Sequence, residues 1–157
     1  MSDASFEDGA EKPLRLVAFE AEDLAVISSL AQDAVFPGSE MSWSAKDRRF
    51  ALLINRFRWE DAEAADRRNR PFERVQSVLT IETAQKVRSQ GVDRGDADTV
   101  LSLLSIEYAQ GPAGGEVTLT LAGDGVIAVT VEALEITLRD VTRPYIAPSR
   151  SKPGHPN

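Results

Sequence analysis

The chain has 157 residues, 42% of them hydrophobic and 27% charged, with a formal net charge of −7. Those proportions describe one folded globular domain, long enough to bury a core without a metal or disulfide staple. Cysteine is absent, which excludes disulfides, thiolate catalysis, iron–sulfur clusters and cysteine-ligated zinc.

Residues 1–12 are polar and acidic, where a signal peptide needs a basic and then an apolar segment. Apolar runs such as Phe50–Ile54 and Val126–Val129 fall far short of the ~20 residues that cross a bilayer. A cytoplasmic protein with no membrane segment is expected. Leu14–Phe19 (LRLVAF) is β-prone. The following EAEDLAVISSLAQDAVF switches period, with Leu24, Ile27, Leu30, Ala31 and Ala34 at helical spacing. Glu20, Glu22 and Asp23 at its start complement the helix dipole or cap free N–H groups, and Pro37-Gly38 is read as its stop.

From there the alternation has period two. Glu40–Ser44 and Arg49–Trp59 read as a hairpin turning at Ala45–Arg48. DAEAADRRNRP (61–71) is a charged loop or short exposed helix. Arg74–Val87, Val100–Tyr108, Glu116–Leu121 and Val126–Ala133 continue as strands. Leu134, Ile136 and Leu138 alternate with Glu135, Thr137 and Arg139 in a segment that is strand or short helix, with strand favoured. Gly91–Asp98, Gly111–Gly115 and Gly123-Asp124-Gly125 carry turn chemistry. The expectation is an α+β fold: one N-terminal helix packed on a mostly antiparallel, curved sheet or partial barrel of about seven strands. The single domain spans 13–146, between an acidic tail (1–12) and a Pro/Ser/Gly-rich tail (147–157), both expected to be disordered.

DLAVISSLAQDAV, KDRRFALLINRFRWE and VEALEITLRDVTRPY together resemble an uncharacterised family of small bacterial proteins, a domain of unknown function. The resemblance covers Leu14 to Tyr145. It implies a bacterial cytoplasmic origin and supplies no activity, cofactor or catalytic residue.

Charge is uneven along the chain. Residues 1–40 hold two basic and nine acidic side chains, whereas residues 41–74 hold nine basic and six acidic. The basic excess includes KDRRFALLINRFRWE (46–60), with five arginines and lysines and three aromatics. Laid out as a strand, it carries Phe50, Leu52, Ile54, Arg56 and Arg58 on one face. Arg49, Ala51, Leu53, Asn55, Phe57 and Trp59 fall on the other. The middle reads as a central strand covered on both sides, with Arg56 and Arg58 emerging into solvent near its end while Phe57 and Trp59 point inward. An RNA-stacking platform needs rings and arginines on one exposed face, and an acidic chain repels a polyanion, so nucleic acid is disfavoured. A solvated or salt-bridged strand end is the plainer account. If Arg56, Arg58, Trp59, Arg67, Arg68 and Arg70 meet in space, they form an anion or partner site, since guanidinium forks suit carboxylate or phosphate.

Other signals are weaker. Gly123-Asp124-Gly125-Val126-Ile127-Ala128 matches GxGxxA, but a β-branched alternating run follows it, which marks a hairpin turn. Asp93, Asp96 and Asp98 lack the ligand pattern of a calcium loop, and Arg94-Gly95-Asp96 is a three-letter coincidence with an adhesion tripeptide. The sole histidine, His155, lies in the C-terminal tail, where nothing holds a general base. Asp33 and Glu107 are carboxylates paired by no motif. No catalytic residue, metal ligand or cofactor is named. The favoured function is a non-catalytic cytoplasmic binding or assembly module, meeting a protein partner or a second copy through a sheet edge. The alternative is a small anionic-ligand-binding protein or enzyme around Arg56 and Arg58, and RNA binding is third.

Overall fold

The computed structural model describes residues 12–92, 98–147 and 152–153. Among them are eleven strands and two α-helices, so the α+β, mostly antiparallel class holds. In chain order these are β1 (Arg15–Ala18), α1 (Ala21–Ala31), β2 (Val35–Pro37), β3 (Met41–Ser44), β4 (Arg49–Phe57), α2 (Trp59–Arg67) and β5 (Glu73–Ile81). There follow β6 (Ala84–Gln90), β7 (Val100–Gly111), β8 (Gly114–Leu121), β9 (Val126–Val131), β10 (Ile136–Asp140) and β11 (Tyr145–Ile146). The strand order is β1-β10-β5-β4-β2-β7-β8-β9-β6, with β3 beside β4 and β11 beside β5.

The sheet does not close, but it curls over one core. Leu52, Leu79 and Leu138 from its first half share a hydrophobic cluster with Val117, Leu119 and Val129 from its second. Helix α1 adds Leu24, Ile27 and Ala31 to the same cluster and lies against β7. The chain passes between halves at one corner. Thr83, at positive φ, separates β5 from β6; its hydroxyl donates to the Ala133 carbonyl at 2.8 Å and accepts from the Ala133 N–H at 3.2 Å. Arg74–Val87, which alternates like one strand, is therefore two.

Several expectations need correction. There are eleven strands rather than about seven: the break at Thr83 adds one, and β2 and β11 are too short to show a period. The 134–139 segment is strand β10, and the helix at Ala21–Ala31 is joined by a second. Helix α1 stops at Ala31, not at Pro37-Gly38, because Asp33 turns the backbone to φ 64° and donates its N–H to the Leu103 carbonyl at 2.7 Å. Pro37 lies in β2. Glu20 makes no side-chain cap, leaving Glu22 and Asp23 to favour the helix start through its dipole. Strand β4 ends at Phe57, and Trp59 opens α2, whose buried face is Ala62 and Ala65.

Gly123-Asp124-Gly125 is the β8–β9 turn, followed by a strand rather than a nucleotide-binding helix. Asp93, Arg94-Gly95-Asp96, His155 and most of both tails lie outside the described residues. No helix among the described residues is long and apolar enough to cross a membrane.

Candidate functional site

Strand β4 keeps one face inward along its whole length. Phe50, Leu52 and Ile54 enter the core, and Arg56 follows them in phase. Arg56 is 0% exposed, so the expected emergence into solvent is overturned. Burial of a guanidinium is tolerable only when its charge and donors are met. Asp140 on β10 and Ser77 on β5, polar residues at inward-facing positions, supply part of that. Arg56 Nη2 donates to Asp140 Oδ1 at 3.0 Å, and Nε donates to Ser77 Oγ at 3.0 Å. Glu60, four residues on at the start of α2, accepts two parallel bonds of 2.8 Å from Nη1 and Nη2. Burial lowers the Arg56 pKa, but Glu60 and then Asp140 outweigh it and leave it above the ordinary arginine value. Asp140 also accepts the Leu14 N–H at 2.9 Å and so fastens the start of β1.

Of the remaining residues of the sequence-predicted set, Arg58 and Arg70 do gather beside Arg56, but around carboxylates of the chain itself. Arg58 lies 3.8 Å from Glu60, which also holds Arg56, and 3.8 Å from Asp61, which also holds Arg70. Arg58 is 11% exposed and pairs with Glu73. Arg70 forks onto Asp61 at 3.0 and 3.1 Å. Arg67 and Arg68 are exposed at the end of α2. Phe57 is buried as expected, and Trp59 is partly so, its indole N–H donating to the Gln32 carbonyl at 2.9 Å. The Phe57 ring meets Trp59 edge-on at 4.7 Å and Phe72 at 5.6 Å. These rings pack on one another and present no open stacking surface beside Arg56.

The outward face of the first half-sheet carries a different arginine group. A groove of about 470 Å³ is lined by Arg15 from β1, Thr137 and Arg139 from β10, Val78 and Thr80 from β5, and Arg49 and Ala51 from β4, with Glu82 beside β5. Its volume lies in the range of small-molecule sites. The β1–β10 register sets Arg15 directly opposite Arg139, and both are exposed. Neither makes an ion pair among the described residues, whereas Arg49 Nε binds Glu82 Oε1 at 2.6 Å. The groove thus holds three guanidinium groups against one carboxylate, in a chain that is acidic overall.

At the other end of this face Arg74 donates to the Asn55 side chain at 2.7 Å and faces Tyr145 across β5 and β11. Burial raises the Tyr145 phenol above its ordinary pKa against the opposing pull of Arg74 and Asn55. A phenol so shifted stays protonated at neutral pH and is unsuited to act as a base or nucleophile. Among the described residues no group of three carboxylates or histidines gathers as a metal site.

The alternation of LRLVAF and LEITLRD puts Arg15 and Arg139 on outward positions, which is a signal available in the sequence. Their meeting is not, because it depends on pairing two strands from opposite ends of the chain.

An α+β domain with a curled antiparallel sheet and an arginine-lined groove is the class these features define. The chain belongs to the family described as "Protein of unknown function (DUF2948)", whose model matches residues 14–155. No curated protein and no solved structure matches it.

Proposed function

We propose that this protein is a non-catalytic binding module that holds an anion at Arg15 and Arg139 in the arginine-lined groove. One observation carries the proposal: Arg15 and Arg139 face each other in register with no carboxylate paired to either among the described residues. Like charges directly opposite on neighbouring strands destabilise a sheet, so the arrangement is costly to the fold and useful to an oxyanion. The favoured site therefore moves from the Arg56 end of β4 to the outer face of the same half-sheet. Pairing with a second copy through a sheet edge has less support, since β1 is four residues long and β6 exposes Lys86 and Arg88, features that blunt an edge.

Inorganic phosphate added to the full chain in a low-salt, anion-poor buffer is expected to raise the melting temperature. The gain should shrink as sodium chloride rises. The Arg15→Gln/Arg139→Gln double variant should lose this response while its anion-free stability stays level or rises by up to about 1 kcal/mol. Equal stabilisation of both proteins by phosphate would overturn the proposal.

A further inference from the structure

The arginines of the groove are not one cluster. Arg15 and Arg139 form a pole at one end, where Arg139 lies opposite Val78 across β10 and β5. Arg49 forms a second pole with Glu82, four residues beyond Val78. Four strand residues span about 13 Å, and the two strand spacings from β10 to β4 add about 10 Å crosswise. Between the poles the floor is one row, Thr137, Thr80 and Ala51, in register across three strands. Those side chains are small and uncharged, and two carry hydroxyls. At the far pole Glu82 takes the Arg49 Nε and fixes the guanidinium, leaving its terminal nitrogens for another acceptor.

A single compact oxyanion cannot reach both poles across that floor. Resting on the anion-binding reading above, we infer that the ligand is a small molecule with two oxyanion groups held apart by an uncharged span. The first group sits between Arg15 and Arg139, which carry no competing carboxylate. The second sits at Arg49, where Glu82 offsets part of the charge and makes the weaker pole. The threonine hydroxyls face the span and suit one that accepts or donates hydrogen bonds.

Calorimetric titration of the full chain tests this with three probes: inorganic phosphate, linear alkane bisphosphates of increasing chain length, and dicarboxylates of matching length. A bisphosphate or dicarboxylate of the fitting length should bind about tenfold or more tighter than phosphate, because its second group binds at high effective concentration. The two series distinguish phosphoryl from carboxyl ends. Arg49→Gln, a change at a half-exposed side chain, should weaken the best two-ended probe by about tenfold and phosphate by much less. A two-ended probe no tighter than phosphate, or an advantage that survives Arg49→Gln, overturns the inference while the anion site stands. Phosphate binding that is absent, or indifferent to Arg15→Gln/Arg139→Gln, removes the anion site itself.

Discussion

Arg56 shows how one residue can carry a functional suggestion in sequence and a structural role in the fold. It is among the largest fully buried side chains, enclosed by Asp140, Glu60 and Ser77. Arg56→Ala leaves the Asp140 carboxylate, itself nearly buried, without its cation. Removing one member of a buried pair costs about 3–5 kcal/mol. Urea unfolding should show a loss of that size for Arg56→Ala, whereas Arg67→Ala, at an exposed position, should stay within about 0.5 kcal/mol of the parent. A fully stable Arg56→Ala protein would contradict the structural role. The alternation through Phe50, Leu52 and Ile54 already gives Arg56 its inward phase. Taken without a partner, the residue is turned outward, because an unpaired arginine belongs in water. Asp140, 84 residues away, supplies the partner that lets it stay inside, and its own inward phase beside Ile136 and Leu138 is the available clue.

Elements are legible where their period is long enough to count. Val117, Leu119 and Leu121 in β8, and Ile127, Val129 and Val131 in β9, are buried on the alternation visible in the sequence. Helix α1 buries Leu24, Ile27 and Ala31 at the spacing that announces it. The three-residue β2 and two-residue β11 have no period, and the turn at Thr83 interrupts a run whose side chains never stop alternating. The turn that joins β7 to β8 is marked by its glycines, and two of them are needed by geometry; at Gly115 a Cβ would lie 2.6 Å from the Ala109 carbonyl oxygen. Gly114 sits at φ 102°, and a Cβ there would collide with the Val131 carbonyl oxygen and lie 3.0 Å from that of Glu132. Both obstacles are backbone of the neighbouring strand end and cannot rotate away. Gly114→Ala should therefore destabilise by roughly 1–3 kcal/mol or more, read as a lower urea midpoint with an unchanged slope. By contrast Gly123 has open space around its Cβ position, so Gly123→Ala should bear only the strain of its positive φ and cost less.

At the scale of the whole molecule, the sequence displays the strands but not their partners. β1 pairs with β10, and β10 lies between β1 and β5, so the first strand of the chain joins the sheet only through one of the last. Contacts that distant in sequence leave no local trace, which is why both the curled topology and the Arg15–Arg139 pole escape a reading by segments. The same topology makes the domain dependent on its C-terminal strands. Without β10 the core loses Ile136 and Leu138, Arg56 loses Asp140, and β1 loses the strand it pairs with. β5 would then present an open edge beside the buried Leu79 and Ile81. Those losses together exceed the ~5–15 kcal/mol by which a domain is stable. A chain ended after Ala133 should show no cooperative thermal transition by circular dichroism and should be digested rapidly by low protease, although it retains eight of the strands that pair among themselves in the full protein. A truncated chain that still melts cooperatively would mean that the second half-sheet and α1 fold as an independent unit. β10 would then be an accessory to the groove and not the element that closes the fold.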